Sequence, residues 1–183
     1  SCGKATTNSG DSETNIARGA RTNQHPAIVA IEPPDGSTCT GTFISDQVLI
    51  TAAHCIGPGA DQRSGAPVDS TIEIKLKDGN STIANSIAVY YHEDYRYNLA
   101  YSPGDIGYVV FPKGTSKEAA SIGGNTAEER PAKSSKIEFY GFRDAYRNMK
   151  RQVGEAVIHK ILPMADPYAP QGEQWTKDMY ITK

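Results

Sequence analysis

The residues best suited to chemistry lie at the end of one hydrophobic run. Val48-Leu49-Ile50-Thr51 puts four apolar or β-branched residues in a row, the pattern of a buried strand. Ala52 and Ala53 follow, small enough to let another stretch of backbone come close, and then His54 and Cys55 stand side by side. An imidazole in that place, rigid below and open above, is positioned as a general base must be. The competing reading is a core histidine that happens to precede a cysteine. A second useful group is Asp105, which opens a stretch that is apolar almost throughout, to Phe111. A carboxylate at the mouth of a buried strand is costly unless paired or hydrogen-bonded. An imidazole N–H is its natural partner.

The totals narrow the setting for these groups. A chain of 183 residues suits one domain or two small ones. With 22% charged and 38% hydrophobic residues it reads as soluble and globular. A formal net charge of −2 offers no global attraction to nucleic acid or acidic lipid. No apolar run is long enough to span a bilayer as a helix. Seventeen glycines, eleven prolines and many Thr and Tyr favour an all-β fold rich in turns. His25, His54, His92 and His159 are far apart and show neither H-E-x-x-H nor C-x-x-C spacing, so no metal site is expected. Gly123-Gly124 is too short for a phosphate loop, and no cofactor is expected. Three cysteines, Cys2, Cys39 and Cys55, leave one without a partner inside the chain.

The elements that must hold His54 and Asp105 follow from pattern. Residues 1–15 carry almost nothing apolar and read as a polar tail. His25 to Ile31 is a strand, and Pro33-Pro34-Asp35-Gly36 a turn. Cys39–Ser45 and Gln47–Ala53 form a hairpin around Asp46. Residues 56–70 form a Gly/Pro-rich loop, Thr71–Leu76 alternates as a half-exposed strand, and Lys77–Asn80 turns it. Ser86–Tyr91 and Asp105–Phe111 are further strands. Pro112–Ser135 is loop with a short helix at Ser116–Ala120, and Ile137–Phe142, Val153–Ile161 and Asp178–Thr182 are strands. Arg143, Arg147 and Arg151 fall at helical spacing and are read as a solvated connection rather than a binding patch.

Three segments together closely resemble the trypsin/chymotrypsin-like serine peptidases. Cys39-Thr40-Gly41-Thr42-Phe43-Ile44 resembles that family's "C-G-G-S/T-L-I" strand. Thr51-Ala52-Ala53-His54-Cys55 matches its "T-A-A-H-C" without a change, and Asp105-Ile106-Gly107-Tyr108 resembles its "D-I-A-L". The resemblance covers about residues 16–183. It implies two antiparallel Greek-key β-barrels, the first over residues 16–112 and part of a second over 113–183. It implies a disulfide between Cys39 and Cys55, worth roughly 3 kcal/mol for a loop of this length. It implies His54 as general base and Asp105 as the carboxylate that orients it. His92-Glu93-Asp94-Tyr95 resembles a structural "H-P-x-Y" element, so His92 is not expected to be catalytic. Ile16-Ala17-Arg18-Gly19 resembles the mature N-terminus "I-V-G-G", which makes Ile16 a candidate activation N-terminus. Asn15 precedes it where Arg or Lys is usual, and Phe142 and Arg143 replace the Trp and second Gly of "G-W-G".

The family's "G-D-S-G-G" nucleophile segment does not follow Asp105, and no G-x-S-x-G elbow occurs. Gly10-Asp11-Ser12 shares three letters, but Glu13 follows and no strand signal surrounds it. The resemblance therefore implies a serine endopeptidase acting on a polypeptide substrate, whose Ser lies on a C-terminal segment, either a docked fragment of the same precursor or the continuation of one longer chain. The second barrel, with three strand signals, is expected to be completed by that segment. With residues 1–15 still attached, either a zymogen-like state or a different way of shaping the oxyanion hole is expected. The alternative is a non-enzymatic binding protein on the same fold. A disulfide implies export, so a secreted, periplasmic or cell-surface location is expected. Cys2 before a polar tether resembles the mature end of a bacterial lipoprotein, a candidate lipid attachment and the one expected link to a membrane.

Overall fold

The computed structural model describes residues 20–56, 72–92, 95, 104–123, 128–142, 151–165 and 176–182. In chain order the strands are β1 (Ala20–Arg21), β2 (Ile28–Glu32), β3 (Cys39–Phe43) and β4 (Val48–Thr51). One helical turn, α1 (Ala53–Ile56), comes next. Then follow β5 (Lys75–Asp78), β6 (Ser81–Asn85), β7 (Ala88–Tyr91) and β8 (Gly107–Val110). The last are β9 (Lys136–Phe142), β10 (Arg151–Ala165) and β11 (Thr176–Thr182). The molecule is all-β, as its Gly, Pro and β-branched content leads one to expect.

Seven strands form one antiparallel sheet in the order β6-β5-β2-β3-β4-β8-β7. Its two edge strands, β6 and β7, are neighbours in the chain, with only Ser86 and Ile87 between them. The sheet must therefore curl until its edges approach. The two link residues show this directly. The Ser86 amide donates to the Ile74 carbonyl at 2.9 Å, beside β5, and the Ile87 amide donates to the Val110 carbonyl of β8 at 2.8 Å. Period-two alternation sends one face of each strand inward, where Ile31, Phe43, Leu49, Val109 and Phe111 are each at most 1% exposed. Burying a side chain of this size contributes about 1.5–3 kcal/mol. Phe43 and Phe111 meet as a tilted pair with centroids 5.8 Å apart. Gly41 lies under Leu49, and a Cβ there would sit 2.3 Å from Leu49 Cδ2, so a larger residue would force Leu49 to repack.

The second sheet is built on β10, whose first half pairs with β9 and β1 and whose second half pairs with β11. A register shift between Ile158 and Lys160 separates the two halves. Residues 20–21 thus belong to this sheet rather than to the one that holds β2. Both edges of β2 are already paired, with β3 and β5, so the segment before it must find partners elsewhere. The Thr22 amide continues the pairing by donating to the Arg151 carbonyl at 3.1 Å.

Three expectations change. Ser116–Ala120 is not helical, because its amides bond across to the β3–β4 hairpin. Ser116 N donates to the Asp46 carbonyl at 3.0 Å and Ala120 N to the Phe43 carbonyl at 2.8 Å. The strand read at Thr71–Leu76 lies later, at Lys75–Asp78, and pairs with β6, which the sequence reading missed. β6 is mostly exposed and polar, so it carries no hydrophobic alternation to read. Arg151 is the first residue of β10 and half-buried, not part of a solvated connection. Its Nε donates to the Ile28 carbonyl at 2.9 Å and its Nη1 to the Gln24 carbonyl. Arg143 and Arg147 lie outside the described residues.

Candidate active site

β4 ends at Thr51, whose hydroxyl donates to the Thr40 carbonyl of β3 at 2.9 Å. The chain then turns tightly, with Cys55 N donating to the Ala52 carbonyl at 3.1 Å. His54 therefore sits in a helical turn just past the strand rather than at its extended tip. Ala53, Cys55 and Ile56 of α1 are buried, and His54 alone points outward. This division is set by residue type: three apolar side chains enter the core, and the imidazole is left outside. Cys55 is bonded to Cys39 of β3, with Cα atoms 6.1 Å apart, so a covalent bridge ties the turn to the sheet.

Asp105 comes from the other side, at the entrance to β8. Gly104 has a positive φ of 71°, and Ile106 N donates to the Gly104 carbonyl at 2.6 Å, a three-residue turn with Asp105 at its centre. A Cβ on Gly104 would lie 2.8 Å from His92 Nδ1, so the His92 ring packs directly against this turn. Gly107 is equally constrained: a Cβ there would meet Ile56 Cδ1 at 2.5 Å and the Tyr90 carbonyl oxygen at 2.6 Å. The bare glycine lets α1 sit against β8, and so brings His54 to Asp105.

The two groups meet twice. The His54 backbone amide donates to Asp105 Oδ1 at 2.9 Å, and His54 Nδ1 lies 2.8 Å from Asp105 Oδ2. A carboxylate can only accept, so Nδ1 carries the proton and Nε2 presents its lone pair. The side chains are 59% and 38% exposed, so the ring is held firmly on one edge and open on the other. Such a pair can take a proton at Nε2 and stabilise the resulting imidazolium.

The structure thus brings together His54, Asp105, Cys39 and Cys55. Ile16, Cys2 and Gly10-Asp11-Ser12 lie outside the described residues. Gly104 and Gly107 are the positioning residues that sequence reasoning missed. Their only signal was two glycines flanking a carboxylate. Among the described residues, Cys39, His54 and Cys55 also form a group of ligand-type atoms within 4.8 Å of one another, although in the disulfide the two sulfurs are bonded to each other.

The trypsin family model matches residues 16–163. No curated protein matches the chain. Among solved structures, the fold is similar to the scabies mite inactivated protease paralogue S-I1, at 16% identity and TM-score 0.55, covering 90% of this chain and 92% of that one. It is also similar to the scabies mite inactivated protease paralogue S-D1, at 13% identity and TM-score 0.54, covering 78% and 62% respectively. At such identities these likenesses bear on fold alone. The family match spans most of the sequence and includes His54, Asp105 and the bridged cysteines, and the chain belongs to the trypsin family.

Proposed function

We propose that this chain supplies the general base and its orienting carboxylate to a serine endopeptidase. The observation that carries the reading is the double attachment of Asp105 to His54, through the backbone amide and Nδ1. Held this way, His54 Nε2 takes the proton from a seryl hydroxyl as its oxygen attacks the peptide carbonyl. Nε2 then returns that proton to the departing amine, leaving an acyl-enzyme that water hydrolyses by the same relay. Asp105 keeps the tautomer fixed and offsets the imidazolium charge; it does not itself take the proton. The seryl oxygen comes from a C-terminal segment of the same precursor, docked beside the second sheet, and the substrate is a polypeptide. The Cys39–Cys55 bridge supports a place outside the reducing cytosol.

A second reading has its own support. The two similar solved structures are those of proteases described as inactivated. On that reading the fold binds polypeptide without cutting it. Incubating the complete processed precursor with a mixed peptide library separates the two. New peptide termini, absent with His54→Ala, support the peptidase. Peptides retained but uncut support the binding protein.

A further inference from the structure

We infer that Asn80 is the acceptor of an N-linked glycan. Of the eight asparagines in the chain, Asn80 alone is followed two residues later by Ser or Thr with no proline between, in Asn80-Ser81-Thr82. Oligosaccharyltransferases read that pattern, and it becomes a site only where the fold leaves it on an accessible turn. The turn that bears it here meets that condition.

Asp78 pairs with Ser81, so β5 and β6 are joined by Gly79 and Asn80 alone. The connection is this tight because Gly79 adopts a positive φ of 55°, as two-residue hairpin turns require. Asn80 is exposed, and a Cβ built on Gly79 would have nothing within 4 Å of it, so the space around the tip is open. The Asn80 main chain is engaged, its carbonyl accepting from Lys77 Nζ at 3.3 Å, while its side chain faces solvent. Thr82 is exposed as well. Its hydroxyl accepts from Lys77 Nζ at 3.3 Å and keeps its own proton. A register shift between Leu76 and Lys77 separates these tip pairs from the body of the hairpin, where Leu76 is buried. The tip can therefore carry a bulky group without disturbing the core.

The strand directions place that group away from the catalytic pair. β3 and β5 both run antiparallel to β2, so β5 leads to the end of the sheet where the β3–β4 turn lies around Asp46. β4 runs back from that turn, and His54 follows it at the other end. A glycan on Asn80 stands instead beside β6. Among the described residues β6 pairs only with β5, and it leaves Ile83 62% exposed. Open edges of this kind invite pairing with other chains, and a hydrated oligosaccharide at the start of the strand blocks it.

The transfer balances. Asn80 Nδ2 forms a bond to the anomeric carbon of an oligosaccharide carried on a polyprenyl pyrophosphate. The bond from that carbon to the pyrophosphate oxygen breaks, polyprenyl pyrophosphate leaves, and the amide proton passes through the transferase to solvent. No oxidant or reductant is needed. The donor lies outside the cytosol, in the kind of compartment where the Cys39–Cys55 bridge forms.

The test expresses the complete precursor behind a secretion leader in a eukaryotic cell and maps the secreted protein by mass spectrometry. The peptide that holds Asn80 should carry a glycan of hexose and N-acetylhexosamine. Peptide N-glycosidase should remove it and leave an aspartate at that position. Asn80→Gln and Thr82→Val should each abolish the glycan, while Thr82→Ser should keep it at lower occupancy. The same map on material retained in the secretory pathway covers a precursor that is not released. A bare Asn80 peptide in either pool would overturn the inference, and so would a glycan that persists on that peptide in Asn80→Gln. Enzymatic removal of the glycan from the folded protein should increase self-association in sedimentation; no increase would remove the edge-shielding role. None of these readouts is peptide hydrolysis, so the site stands or falls separately from the proposed function.

Discussion

Asp105 commits both oxygens to a single residue, one to the His54 amide and one to Nδ1. This explains how a pair so exposed keeps one geometry, since an isolated surface ion pair contributes little order. Asp105→Asn tests the tautomer argument. The amide oxygen can still accept from the His54 backbone, but its NH2 then faces Nδ1 and favours the proton on Nε2. In the complete protein, peptide hydrolysis should fall about 10⁴-fold, with little change in melting temperature because the amide oxygen keeps the bond from the His54 backbone. Gly107→Ala tests the spacing. Its methyl group must displace Ile56 or the Tyr90 backbone, so it should destabilise by about 1–3 kcal/mol in chemical denaturation and lower activity by moving α1 from β8. The pair itself was legible in the sequence, because His54 and Asp105 sit in flanking patterns with distinctive residues. The glycines that bring them together were not. Their contribution is the absence of a side chain, and only the packed structure shows what the missing Cβ would strike.

α1 has a single turn and cannot be stable alone. It is held by two buried side chains and the bridge to β3. Replacing Cys39 and Cys55 with alanine reopens a loop with a sequence separation of 16, and should cost about 3 kcal/mol. Thermal melting should fall by roughly 6–12 °C, leaving a folded protein if its total stability is in the ordinary range of about 5–15 kcal/mol. The strands around this turn were largely readable, because β2, β4 and β8 are short runs of apolar and β-branched residues bounded by turn signals, although only β3, β4 and β8 bury alternate positions while β2 buries the adjacent Ala30 and Ile31. β6 was not, since Ser81-Thr82-Ile83-Ala84-Asn85 faces mainly solvent and is set by pairing with β5. The missing helix at Ser116–Ala120 has a comparable cause. Local propensity favoured a turn of helix, and bonds to Asp46 and Phe43 of the hairpin prevailed.

At the scale of the molecule, Thr40 and Arg151 are among the described residues that join the sheets. Thr40 accepts from Thr51 at its carbonyl and from the Phe142 amide at its hydroxyl, linking β3, β4 and β9. Arg151 of β10 clamps the carbonyls of Gln24 and Ile28, and its guanidinium lies 5.8 Å from the centre of the Phe142 ring. Arg151→Ala leaves those carbonyls without their charged donor and should cost about 2 kcal/mol, seen as a lower denaturation midpoint with an unchanged m-value. A long arginine this far from β2 in sequence gives no sign of that contact, which only the joined sheets create. The His54 side chain, 59% exposed, stays open to a seryl group arriving from the C-terminal segment proposed above. The most direct measurement of that claim is labelling of the complete, processed precursor with a fluorophosphonate probe, which reacts with an activated serine. The account predicts one labelled serine, mapped by mass spectrometry to the sequence beyond Lys183, with labelling abolished by His54→Ala. No label on folded precursor, or a label that persists in His54→Ala, would contradict it.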